Sequence, residues 1–349
     1  LDHWTRFRAA RPANAAPAGR IVSAETLFGD LRRATAPDPD AYDNAAYASL
    51  RRPRTAGATP APARVIAIRR TTPPSWLAVA AALPSYRGQI QPRLPADGFT
   101  DPALTLARDV ALAQRYGLFG FCHEVADAQA AARICAVDAP PFPFCVAWTG
   151  GGKAALALKA LATVLAAPEF IHVDGRPVIA LPPKAKVAVW REAAEPIGGL
   201  FLIQRGGAAD PAFDAHLPET PNRAPEGPPG AVINPDFRGL VHDHAALVRE
   251  AMATPVDDKA FPLIVAARDT TPLSPDAPSV WHGASPGALQ ARLEGAANDL
   301  SERDSERRLI FVHAWNDWDT GAVLAPDLRF GHGWLEAVAN AADADLLAP

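Results

Sequence analysis

From position 65 onward the chain alternates between two textures. Short apolar runs rich in β-branched residues fall at 65–68, 118–122, 142–148, 177–181, 200–204, 213–217, 263–267 and 309–315. With little polar alternation inside them, they predict strands buried on both faces of a parallel sheet. Between them lie longer Ala/Leu-rich stretches at helical period, 102–116, 127–137, 154–166, 187–195, 242–252 and 286–303, and 332–347 reads as a closing helix. Asp101-Pro102 and Ser285-Pro286 each read as an N-cap followed by Pro at the first helical position.

Eight strands with intervening helices predict an α/β chain folded as a (β/α)8 TIM-like barrel. The sixth strand is contested, because 231–234 competes with 213–217 and no helix obviously separates strands five and six. A doubly wound open sheet is the alternative. No GxGxxG or GxxxxGK[ST] follows any strand, which argues against a nucleotide-binding version. Gly150-Gly151-Gly152-Lys153 has the wrong spacing for a phosphate loop and reads as a strand-to-helix turn. Residues 1–62 differ: they are rich in Pro and Ala, with one short helix predicted at 24–31 behind Ser23. They read as an irregular N-terminal arm or linker ahead of a barrel domain at 63–349.

Composition narrows the function. Hydrophobic residues at 49% and charged ones at 21% exclude wholesale disorder. A formal net charge of −4 lacks the cationic excess a nucleic-acid binder uses to release phosphate counterions. Cys122, Cys135 and Cys145 are too few and too odd in number for a disulfide framework, and none sits in a CxxC pair. A reducing, cytoplasmic setting is therefore expected, with no metal and no cofactor. No apolar run is long enough to span a membrane. The chain opens on Leu1 without an initiator Met or a leader, so it is expected to be one module of a longer polypeptide with further domains as partners.

In a (β/α)8 barrel, reacting groups project from the C-terminal ends of the strands. Strand two ends in His123-Glu124, strand three at Trp148, strand five in Gln204-Arg205, strand six at His216, strand seven in Arg268-Asp269, and strand eight in His313-Ala-Trp315-Asn316-Asp317-Trp318-Asp319. The last is the densest constellation. Indoles stack on the apolar faces of sugar rings, Asn and carboxylates bond hydroxyls, and a carboxylate pair can act on an acetal. The structural alternative is that Trp315 and Trp318 cap the barrel while Asn316 and Asp317 hold the following turn. His123 and Glu124 would point to opposite sides of an extended strand. His242 and His244 lie two apart at a helix start, on different faces, which disfavours a metal site.

Phe311-Val-His-Ala-Trp-Asn-Asp-Trp-Asp-Thr-Gly321, then Leu324-Ala-Pro-Asp327 and Phe330-Gly-His-Gly-Trp-Leu-Glu336, resembles the C-terminal signature of the WbsX-like polysaccharide-biosynthesis proteins, relatives of glycoside hydrolase family 99. Gln91-Pro-Arg-Leu-Pro95, Gly117-Leu-Phe-Gly-Phe-Cys122, Phe142-Pro-Phe-Cys145 with Trp148, Val173-Asp-Gly-Arg-Pro-Val178 and Trp281-His-Gly283 resemble further blocks of that family in the same order. The resemblance covers about residues 65–345. It implies a (β/α)8 barrel acting on a glycan or glycoconjugate in bacterial surface-polysaccharide metabolism.

The departures are specific. The two acids of the family's N-E-W-x-E-G fall on Asp317, one methylene shorter, and Thr320, which has no carboxylate. The Glu of L-E-P-D is Ala325, and the first strand offers Arg69-Arg70-Thr71-Thr72 where the family has aromatic and His residues. Replacement acids are expected from Asp319, Glu124 or Asp269, with Trp315, Asn316, Trp318, Trp148, His123, His313 and Arg268 as candidates for binding substrate. The hydrolytic reading requires a second carboxylate within about 10 Å of Asp317. Two functions follow: a glycosidase- or glycosyltransferase-like enzyme with an acid site at the barrel mouth, or a catalytically degenerate glycan-binding or structural module beside a glycosyltransferase.

Overall fold

The computed structural model describes residues 63–218 and 224–342; the expected arm at 1–62 and the end of the last predicted helix lie outside the described residues. Eight parallel strands form the barrel: β1 Arg64–Arg70, β2 Gly120–Val125, β3 Phe144–Trp148, β4 Arg176–Leu181, β5 Phe201–Arg205, β6 Ala215–Leu217, β7 Leu263–Val265 and β8 Leu309–His313. They pair in sequence from β1 to β6, and β8 joins β1 to β7. This curled order replaces the open-sheet alternative. Every predicted apolar run overlaps one strand.

The absence of alternation in those runs has a direct cause. One set of side chains, including Ile66, Ile68, Cys122, Cys145, Val178, Phe201 and Phe311, fills the barrel interior. The intervening set packs outward, in two clusters, against the helical layer. Both faces are buried, so both are apolar.

The helices are α1 Trp76–Ala81, α2 Pro102–Arg115, α3 Ala128–Ala136, α4 Ala154–Leu165, α5 Val187–Ala194, α6 His244–Ala253, α7 Pro286–Asp299 and α8 Gly333–Ala342. Asp101 caps α2 by accepting from the Ala103 N–H, and Ser285 caps α7 by accepting from that of Ala288. Helix α1, only six residues long, was outside the predicted set because one and a half turns carry no readable period.

No helix joins β5 to β6. The Gln204 side chain organises that turn instead, donating to the carbonyls of Gly206 and Ala208 and accepting from the Asp210 N–H. The contested sixth strand is Ala215–Leu217; Val232 instead makes an isolated antiparallel bridge to Tyr86. Closure between β6 and β7 rests on one parallel bridge, His216 to Ala260. Beyond it the facing edge of β7 has no strand partner among the described residues, and an apolar crevice of about 250 Å³ lined by Leu247, Val248, Leu263 and Val265 runs alongside. Among the described residues no helix is long and apolar enough to cross a membrane.

Candidate functional site

The inward-facing rows of the barrel continue upward into polar side chains. Two residues beyond Ile68 is Arg70, beyond Cys122 is Glu124, beyond Ile203 is Arg205, and beyond Phe311 is His313. The last apolar layer is thus capped, at the C-terminal mouth, by two guanidinium groups, a carboxylate and an imidazole.

Strand β8 delivers the rest. After His313 the chain forms a small antiparallel hairpin, Asn316–Asp317 against Ala322–Val323. Asn316 fastens it to β1: its Oδ1 accepts from the Arg70 N–H at 2.9 Å and its Nδ2 donates to the Arg70 carbonyl at 3.1 Å. The Arg70 guanidinium then donates from one nitrogen to both Asp317 Oδ1, at 2.6 Å, and Asp319 Oδ2, at 2.9 Å. Two acid oxygens therefore sit at most two hydrogen-bond lengths apart, inside the distance set above. Asp319 Oδ1 also accepts from the Ser75 N–H at 2.8 Å. Asp317 Oδ2 accepts from Thr320 Oγ1 at 2.7 Å and meets His313 Nε2 at 3.1 Å. Thr320 stands where the family carries its second acid and here bonds the remaining one. Across the mouth, Arg205 donates to Glu124 Oε1 at 2.7 Å.

These contacts decide protonation. Burial pushes the Asp317 carboxyl upward. The hydrogen bond and charge of His313, the Thr320 hydroxyl and Arg70 outweigh it and bring the group down to about 2. Burial likewise disfavours the Arg70 cation, but Asp317 and Asp319 overcome it and hold its pKa above the ordinary value. Asp317 is therefore an anion at neutral pH and has no proton to give to a leaving group. Because a carboxylate only accepts, His313 Nε2 must be the protonated nitrogen. The side chains of Arg70, His313 and Arg205 keep 24%, 26% and 23% of their surface exposed, so a ligand in the mouth can reach them.

The structure thus brings Asp317, Asp319, Asn316 and His313 together, with Glu124 across the mouth. Other candidates are placed elsewhere. Trp315 is fully buried and packs edge-on against Phe121 in the outward cluster. Trp148, the outward neighbour of the inward Ala147, lies under α4. His123 faces outward between Phe121 and Phe144. These three side chains occupy the helical layer, not the mouth, and for Trp148 and His123 strand alternation is the cause. Trp318 is nearly buried against Trp76, Val79 and Leu94. Asp269 is buried, which pushes its carboxyl up; Oδ2 accepts from Gln89, and Oδ1 from the Thr271 hydroxyl and N–H. Its main chain lies beside the site, donating to the Thr320 carbonyl at 2.7 Å. Arg268 is exposed and donates to Ser279 Oγ at 3.3 Å. Among the described residues no group of His, Cys, Asp or Glu could hold a metal ion.

His123 yields a direct test. It is buried, its Nδ1 has no partner among the described residues, and burial together with Arg69 lowers its pKa well below the usual imidazole value. It is neutral and polar in an aromatic slot. His123→Phe is expected to raise the thermal midpoint, by roughly 1 kcal/mol of stability, since it removes an unanswered buried polar atom. A differential scanning measurement checks this; a clear fall would mean the slot needs the imidazole.

Arg70, Arg205 and Thr320 were visible in the sequence but given no role in the site, and Arg93 was not singled out. The first two were readable from strand parity. Arg93 required the fold: its Nε donates to Asp327 Oδ2 at 2.7 Å, and its terminal nitrogens donate to the carbonyls of Gly321 and Val323, pinning the return strand of the acid-bearing hairpin.

With this geometry in hand, comparisons place the chain among known proteins. A family model described as Glycosyltransferase WbsX matches residues 152–338, more than half of the sequence. The chain belongs to the WbsX family. The matched span runs from the turn before α4 into α8 and carries Arg205, His313, Asp317 and Asp319. By its description WbsX is a glycan-related family. Two WxcX proteins, from Xanthomonas campestris pv. campestris strains B100 and ATCC 33913, are each 29% identical over 318 residues, covering 76% of this WbsX chain and 46% of theirs. The chain thus spans about half the length of the curated relatives it matches. A solved chain described as a glycoside hydrolase-like protein shares the fold with TM-score 0.57 and 12% identity, over 83% of this chain and 97% of that one. The family 99 endo-alpha-mannosidase from Bacteroides thetaiotaomicron is a looser likeness, with TM-score 0.47, 12% identity, and 80% and 96% of the two chains covered.

Proposed function

We propose that the C-terminal mouth of the barrel binds a glycan and assists glycosyl transfer by base catalysis, rather than hydrolysing by a two-carboxylate route. The supporting observation is that Asp317 is held ionised by Arg70, His313 and Thr320 at once. The two-carboxylate route needs one acid kept protonated to assist departure of the leaving group. Asp317 is down at about 2, and Asp319 and Glu124 are each matched to an arginine.

An activated glycosyl donor needs no such acid. In this reading Asp317 orients His313 through Nε2, and Nδ1 takes the proton of an acceptor hydroxyl. The acceptor oxygen forms its bond to the anomeric carbon as the bond to the leaving group breaks, with the electron pair departing on that group. Asp319, Glu124 and Arg205 bond sugar hydroxyls. A cytoplasmic location goes with this reading and is supported by the three free cysteines.

Asp317→Asn tests it. Transfer from nucleotide-activated sugars to an acceptor glycan is expected to fall by roughly 10²–10⁴-fold, with acceptor binding on a glycan array kept within a few-fold. Unchanged turnover would contradict the proposal. The second reading, a glycan-binding module without catalysis, is favoured by Arg70 engaging both carboxylates. Binding without turnover in either form would select it.

A further inference from the structure

Against the acid-bearing hairpin lies a small cavity of about 40 Å³, lined in part by Asn316 and Trp318 of that hairpin. Trp315 and Trp318 form one wall, Trp76 of α1 another, and Asp97, Thr100 and Arg108 stand at its opening. Trp76 is half-buried, packed at 5.0 Å against Phe99 and 6.1 Å against Trp318. Asp97 and Arg108 pair at 3.0 Å with 48% and 47% of their side chains exposed. Below them, the buried Asp109 carboxylate takes Arg69 and Thr105. The Trp315 indole N–H is buried and has no partner among the described residues. An aromatic wall and a charge-balanced polar rim are together the chemistry that holds a sugar. Packing alone explains none of the rim.

We propose that this cavity is a second saccharide subsite, which takes the exocyclic hydroxymethyl arm of a neutral hexose whose ring lies against Trp76. The size sets the arm: the space admits such a group but not a pyranose ring. The charge sets the class, since Asp97 and Arg108 cancel and the mouth's three carboxylates share two arginines, leaving no free cation to select an acidic sugar. The position sets the order. Asp319 accepts from the Ser75 N–H, the residue before Trp76, so the segment that carries the mouth acids also supplies part of the wall of this cavity. The inference rests on the glycan reading above and adds that the ligand is at least a disaccharide bridging the two places.

The test is a glycan array of neutral hexose mono-, di- and trisaccharides, read with the wild type, Trp76→Ala and Arg108→Gln. Wild type is expected to bind di- and trisaccharides at least ten-fold more tightly than monosaccharides. Trp76→Ala should lose that ten-fold advantage, as loss of one stacked ring does, while its monosaccharide binding stays within two-fold. Arg108→Gln, at an exposed position where folding is not in question, should reduce it several-fold. Length-independent binding by wild type, or a preference that survives both Trp76→Ala and Arg108→Gln, overturns the subsite alone. No binding by wild type at any length overturns the glycan reading with it.

Discussion

Arg70→Met is expected to cost about 3 kcal/mol at neutral pH, the lower end of the range for stranding buried ions, because the arginine is itself partly exposed. One nitrogen of Arg70 serves two carboxylates that are both nearly buried, so its loss leaves two anions without a guanidinium, held only by His313, Thr320 and the Ser75 N–H. The sign of the pH dependence follows. In the folded wild type Asp317 sits at about 2, below its ordinary 3.8, so its contribution is complete above about pH 4 and lost as pH falls toward 2. Without Arg70 the carboxyl moves up and acid unfolding begins at higher pH. Urea denaturation at pH 7 and at pH 3 measures both effects. Adding Asp319→Asn to Arg70→Met should restore part of the loss, because one stranded charge is then neutral. A change below about 0.5 kcal/mol at pH 7 would mean the two ion pairs are no better than exposed ones.

Arg93→Lys is expected to lose a comparable amount, about 3 kcal/mol, and to weaken the site from a distance. Arg93 is buried and bonds Asp327, Gly321 and Val323, with its guanidinium 4.9 Å from the Trp334 ring. A lysine presents a point charge and cannot reproduce the planar fork. Val323 pairs with Asn316, and Asn316 holds Arg70, so loosening the return strand reaches Asp317 through two named contacts. The readout is a lower thermal midpoint together with reduced glycan binding. A destabilised protein whose binding is unchanged would show that Arg93 serves the fold and not the site.

The fold was legible because both faces of each barrel strand are buried, so the strands stand out as unbroken apolar runs. The site was legible only in part. Asp317, Asp319 and Asn316 were visible as a polar cluster after β8. Parity was not carried far enough elsewhere: counting by twos from Ile68 and Ile203 gives Arg70 and Arg205, and counting from Cys145 turns Trp148 outward. Trp315 could not be placed in this way. The regular strand ends at His313, and nothing in the sequence says that the next residues reverse into a hairpin. Sequence also could not show that the arginine at the end of β1 answers acids 247 and 249 positions later, because that encounter is made by barrel closure.

The most direct test of a glycan site at the mouth is hydrogen exchange of the backbone, with and without the tightest neutral oligosaccharide from the array. Protection is expected at residues 70–76 and 313–321, the two segments that Arg70, Asn316 and Asp319 tie together. Protection confined to 244–266, along the open edge of β7, would place the ligand in the apolar crevice and contradict the account.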